Sequence, residues 1–182
     1  MKTLLLWFAL LAAGASIGIC AGVKFPSKDM CASPDLQWKI HCATQKQTDG
    51  YLHRVMLTRR AVSIGECIFE ANRSCDVLWR PDSRALAITD WSGSSTAEIY
   101  LVEVSQPSKA IPLVVTDVER FIQKRELEGH CYYEALEWKS SHTLLIRVFG
   151  HTDENPSHEF TYFLSVETNS GEAKLVRAKI DY

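Results

Sequence analysis

With 182 residues, 46% hydrophobic and 23% charged, the chain suits one domain with a real core and is too short for two ordinary ones. A net charge of −2 and an isoelectric point near 6.3 supply no field of one sign, and Arg59 and Arg60 are the one adjacent arginine pair. Nucleic acid and anionic membrane surfaces are therefore excluded as the partners this composition is built for.

Residues 1–21 read as a signal peptide. Lys2 precedes an apolar run from Leu4 to Leu11, and small residues follow from Ala12 to Ser16, the layout of an export signal cleaved after Ala21. The apolar stretch is too short for a transmembrane anchor. Lipidation at Cys20 is the less favoured alternative, because Ile17 and Ile19 crowd a position where a lipobox takes small residues. The mature domain is then 22–182, and its location is periplasmic or secreted.

Five cysteines remain: Cys31, Cys42, Cys67, Cys75 and Cys131. In an oxidising compartment short separations read as staples. Cys31 and Cys42 flank the turn at Ser33, Pro34 and Asp35, and Cys67 and Cys75 bracket a polar stretch, so each pair is expected to form a disulfide. Cys131 is left as a buried thiol. No C-x-x-C pattern supports a zinc site.

Three units follow along the chain, aligned by their turns. In the first, Pro34 and Asp35 precede a strand at 38–42, a polar loop spans 44–50, and a strand returns at 51–57. In the second, Pro81 and Asp82 precede 86–89, the loop is 90–95, and 98–104 returns. In the third, Ser140 to His142 replace Pro-Asp, the strand is 144–148, the loop 150–157, and 159–166 returns. Lead-in strands at 76–79 and 132–138, and closing strands at 111–115 and 173–180 after a turn at Asn169 to Gly171, bring each unit to four strands. Pro beside Asp suits a type I turn, since the ring presets φ and the carboxylate can accept from nearby backbone. Between the second and third units, Thr116 and Glu119 form a capping box, Val118, Phe121 and Ile122 an apolar stripe, and Gly129 a stop, which predicts one long helix over 117–128.

The fold class is therefore all-β: three stacked four-stranded antiparallel meanders with one helix, because a single meander cannot bury its faces. Trp79, Pro81, Asp82, the strand through Thr89 and Asp90, Gly93, and the return from Ile99 to Val104 resemble a blade of the WD40-like β-propeller repeats of TolB-type proteins, whose consensus runs W-S-P-D-G, an apolar strand, a Gly-containing turn and I-Y-x-x-D. The units at Ser33 and Trp138 resemble it more weakly. The resemblance implies propeller-like blades and is silent about activity. Propellers close with about four to eight blades, so three units make an open stack or a sandwich, or a ring shared between chains.

No nucleophile elbow, zinc-protease, P-loop or dinucleotide motif is present in the sequence. Trp91, in a polar hairpin loop, its neighbour Asp90, and Tyr51 are the candidate partner-binding residues, since aromatic rings in polar loops favour contact sites. His151, Asp153 and His158 are the candidate metal ligands, imidazole and carboxylate lying within one short loop. The expected function is an exported, non-catalytic interaction module of the periplasm or cell envelope. Its partner is a protein or envelope component, and no cofactor is expected. The alternative is a metal-binding protein or metal-assisted hydrolase built on the 151–159 loop.

Overall fold

The computed structural model describes residues 22–169 and the backbone course of 172–180, with side chains through Thr168. The signal peptide expected over 1–21, with Cys20, and part of the turn expected at 169–171 lie outside the described residues. Strand β1 (Val23–Phe25) precedes a first antiparallel sheet of β2 (Met30–Ala32), β3 (Trp38–Gln47), β4 (Gly50–Arg59) and β5 (Glu66–Ala71). A second meander holds β6 (Cys75–Trp79), β7 (Ala85–Asp90), β8 (Thr96–Glu103) and β9 (Ala110–Pro112), with β1 laid against β6. After β10 (Val114–Thr116) comes the third, of β11 (His130–Trp138), β12 (Thr143–His151), β13 (Glu159–Asn169) and β14 (Glu172–Ile180). The described chain is all-β, in three antiparallel meanders.

Two cores hold the stack together. Phe25, Ile40, Val55, Leu57, Ile68, Val77, Trp79, Leu86, Ile88 and Val102 fill the space between the first and second sheets. Leu78, Ala87, Ile99, Trp138, Leu144, Ile146, Val148 and Leu164 fill that between the second and third. Period-two alternation sends Leu86 and Ile88 one way and Ala87 the other. All six residues of β7 are consequently buried, which is why this strand reads as a run of apolar residues closed by Thr89 and Asp90. Trp79 and Trp138 occupy equivalent places in successive sheets and are both core residues, 1% and 6% exposed.

The two Pro-Asp turns are built by the same hydrogen bonds. Leu36 N–H donates to Ser33 O and Ser33 N–H to Trp38 O, each at 2.9 Å; Ser83 to Arg80 and Arg80 to Ala85 repeat both distances. Leu36 (φ 59°) and Ser83 (φ 62°) stand in the left-handed region, where the repeat consensus places glycine. Lys139 N–H reaches Thr143 O in the third turn, one residue shorter.

Four expectations are corrected. The polar stretch 44–47 continues the β3–β4 ladder to Gln47 opposite Gly50, leaving a two-residue turn, because ladder bonds form whether or not the side chains are buried. The closing strand at 111–115 splits: Pro112 carries no N–H for a ladder, and after Leu113 N–H donates to Ile99 O at 2.8 Å the chain leaves the second sheet to pair β10 in parallel with β14. The helix over 117–128 is instead a 3-10 turn at Val118–Arg120 and one α-turn, α1 (Lys124–Leu127). Ile122, 1% exposed, dips into the core between them. Asp117 is left-handed, and the capping box is made by Gln123 and Glu126 rather than Thr116 and Glu119.

The fourth correction concerns the cysteines. No disulfide joins Cys31 to Cys42 or Cys67 to Cys75. Cys31 stands opposite Ile40 and Cys42 opposite Val55. The chain between Cys67 and Cys75 is no hairpin: it crosses from β5 in the first sheet to β6 in the second. Burial pushes the Cys75 thiol up to about 12 and the Cys131 thiol up to about 11, so both stay protonated near neutrality and neither is a nucleophile there.

Candidate functional site

The chain leaves β7 through Asp90, and Trp91 N–H donates to Ser74 O at 3.2 Å. This bond turns the Trp91 side chain back over the inner strands of its own sheet. Its indole Nε1–H donates to Asp76 Oδ2 at 2.5 Å, and Lys24 Nζ stands 5.5 Å from the ring centre. The aromatic side chain expected to project from a polar loop is therefore half-buried and fixed in orientation.

The third sheet supplies the facing wall. Tyr132 is directly opposite Phe149 and Glu134 directly opposite Arg147 in the β11–β12 register, so all four lie on one face. The intervening Val148 points into the core. Tyr132 and Phe149 stack at 5.3 Å, and Trp91 completes the cluster at 6.5 Å from Tyr132 and 6.3 Å from Phe149. The Arg147 guanidinium lies 4.1 Å over the Phe149 ring, and Tyr132 O–H donates to Ser94 O at 2.6 Å, pinning the hairpin loop to β11. Ala135 N–H donates to Thr89 Oγ1 at 3.0 Å and braces the two sheets.

Between these walls is an open cleft of about 540 Å³, lined by Gly22, Lys24, Asp76, Trp91, Glu134, Ala135, Leu136 and Arg147. Two cations and two carboxylates surround the indole. Arg147 Nη2 and Glu134 Oε2 are 2.5 Å apart, an ion pair by distance. Their alignment does not make a hydrogen bond, and Arg147 Nε and Glu134 Oε2 are shielded atoms without a hydrogen-bond partner. The cleft thus offers a stacking surface beside a close Arg147–Glu134 ion pair.

Of the residues singled out in sequence, only Trp91 lines this cleft. Asp90, 8% exposed, ends β7 inside the fold. Burial raises its carboxyl pKa, opposed by the Ser92 hydroxyl and reinforced by Glu98. Tyr51 is 55% exposed at the start of β4 in the first sheet, 6.4 Å from His53, and contributes nothing to the cleft. His151 stacks on His130 at 4.3 Å, Asp153 approaches His130 Nε2 at 3.8 Å, and His158 turns away to Glu126 at 3.5 Å. Thr152 and Asn155 bond one another across the loop, and His158 N–H donates to Asn155 O at 2.8 Å. No group of three or more His, Cys, Asp and Glu able to hold an ion forms among the described residues.

A second cleft, about 650 Å³, opens at the other ends of the strands among Asp35, Trp38, Asp82, Ser83, Arg84 and Glu103. Its polar groups are engaged with one another. Arg80 donates to Asp82 at 2.8 Å and Glu103 at 3.2 Å, and Asp35 N–H donates to Ser83 Oγ at 3.0 Å. Sequence reasoning missed Lys24, Asp76, Glu134 and Arg147. The readable signal was the alternation of Tyr132 with Glu134 and of Arg147 with Phe149 on strands whose other face is apolar.

No family model matches this chain, and no curated protein matches it. Among solved structures it is similar to an acylaminoacyl peptidase of Pyrococcus horikoshii, with 14% identity and a TM-score of 0.52. The match covers 80% of this chain and 23% of that one, so the likeness concerns fold, and this chain spans under a quarter of the peptidase.

Proposed function

We propose that this protein is an exported, non-catalytic interaction module, made of TolB-type propeller-like blades, that binds a protein or envelope component of the periplasm or cell surface. The observation that carries the reading is the Trp91 cleft: an oriented indole beside the Arg147–Glu134 ion pair. A peptide segment with a ring to lie on Trp91 and a carboxylate to meet Arg147 fits this chemistry, since tryptophan and arginine in partly desolvated pockets supply most of the binding energy at protein contacts. The lysine and aspartate that fix the indole reduce the ordering cost of binding. The export reading rests on the sequence of residues 1–21, and intact mass of the exported chain tests it, a mature form beginning at Gly22 being expected and an uncleaved chain counting against it.

The test is a displayed random-peptide library panned against the mature chain, with affinities of enriched peptides read by Trp91 fluorescence and calorimetry. Peptides pairing an aromatic with an acidic residue are expected, and Trp91→Ala and Arg147→Ala should each weaken their binding by roughly thirtyfold or more while Tyr51→Ala leaves it unchanged. Equal binding by all three variants would remove the cleft as the recognition site.

A further inference from the structure

The outward face of the first sheet carries a row of soft metal donors that the Trp91 cleft does not use. The chain has three methionines; beyond Met1 they are Met30 and Met56, and both stand directly opposite His41, Met30 from β2 and Met56 from β4. Cys67 on β5 is directly opposite Met56. One cross-strand row therefore reads Met30, His41, Met56, Cys67, one residue from each strand. Directly opposed residues of antiparallel strands point to the same face with Cβ atoms about 4.5–5.5 Å apart, within reach of two flexible thioethers leaning over a central imidazole.

This face is turned away from the core. Ile40, Val55 and Leu57, the sequence neighbours of His41 and Met56, are the buried ones, while Met30 is 56% exposed and His41, Met56 and Cys67 are partly exposed. The segment after β4 forms a wall beside the imidazole: a Cβ on Gly65 would lie 3.6 Å from His41 Cε1 and 2.5 Å from Thr58 Oγ1. The nearby Arg54 is neutralised by Glu70 at 2.7 Å.

We infer that this row binds one monovalent copper ion, with His41 as the central nitrogen donor and Met30 and Met56 as thioether donors. Thioethers are poor ligands for hard or borderline divalent cations and good ones for Cu(I), and imidazole completes a neutral set that leaves the ion its charge. Cys67 is the adjacent fourth donor. In the apo protein its thiol donates to Phe69 O at 3.6 Å, so it enters only by giving up that contact. The ion is bound in the oxidation state in which it arrives, and no electron transfer is involved.

The experiment is anaerobic titration of the mature chain with Cu(I) held by a coloured chelator. The protein is expected to withdraw one equivalent. Met30→Leu with Met56→Leu, a change that conserves volume and should leave the unfolding temperature nearly unchanged, should weaken binding by more than about tenfold, a loss that even outer-shell changes can cause. His41→Gln should do the same, while Cys67→Ser retains the stoichiometry at neutral pH. Failure of the native chain to withdraw copper, or binding that survives in the double leucine variant and vanishes in Cys67→Ser, would overturn the assignment. Neither result bears on the Trp91 cleft.

Discussion

The two rims of the sheet stack are made from the same kinds of residue and use them oppositely. At the rim of the Pro-Asp turns, both turn carboxylates have local partners: Asp35 accepts from Ser33 Oγ at 2.6 Å and Gln37 N–H at 3.0 Å, and Asp82 from Arg80 and from Arg84 N–H at 3.0 Å. At the rim of the hairpin loops, the Arg147–Glu134 pair leaves shielded atoms without hydrogen bonds beside an oriented indole. Polar residues that satisfy one another hold a turn. An ion pair beside an oriented, half-buried ring leaves a face on which a ligand can stack.

The sharpest way to break this contrast is to remove one residue from each rim. Trp91→Ala should cost binding of cleft-directed peptides about 2 kcal/mol or more, roughly thirtyfold, measured by calorimetry. Ser33→Ala should leave that binding unchanged and lower folding stability by about 1–3 kcal/mol in urea unfolding, because Ser33 is 1% exposed and its hydroxyl bonds both Asp35 and the Trp38 amide.

Acid titration separates the carboxylates by sign. Partial burial pushes Asp35 and Asp82 up, yet the hydrogen bonds from Ser33 and the Gln37 amide to Asp35, and from Arg80 and the Arg84 amide to Asp82, hold both below the ordinary range. Their contribution is thus full above the unfolded-state value near about 4 and is lost as pH falls through the lower folded values. Asp90 is raised by burial, so it favours folding at low pH and becomes a cost as pH rises through its unfolded value. Asp90→Asn should raise the neutral-pH melting temperature, and Asp82→Asn should lower it and flatten the acid limb. The smallest effect is expected at Leu36, left-handed and 56% exposed. Leu36→Gly should stabilise the chain by about 1 kcal/mol by relieving the Cβ clash.

The turns and the cores were legible because they depend on local rules. Pro81-Asp82 marks a turn wherever it occurs, and Leu86 to Ile88 reads as a strand buried on both faces. The expected helix failed because its outcome is decided elsewhere: buried Glu126 accepts from Tyr162 O–H at 2.8 Å and from Gln123 N–H at 3.1 Å, and Ile122 is drawn into the core. The disulfide pairs failed because proximity in sequence says nothing of whether the chain changes sheets between two cysteines. Asp76 and Arg147 were invisible as a site for a similar reason. They are separated by most of two sheets in sequence and meet only across the gap between β6 and β12.

Strand β8 is shared: Tyr100 to Val102 pair with β9, while Thr96 and Ala97 pair in parallel with Cys131 and Tyr132 of β11. Main-chain bonding therefore runs unbroken from β1 through β14 to β10, whereas β2 to β5 form a separate network joined to the rest by side-chain packing and contacts such as that from Asp35 N–H to Ser83 Oγ. Among the described residues, the first sheet can part from the rest without breaking a strand ladder. Amide exchange should follow that seam, with the first sheet opening as its own cooperative unit while the two sheets that build the cleft exchange together.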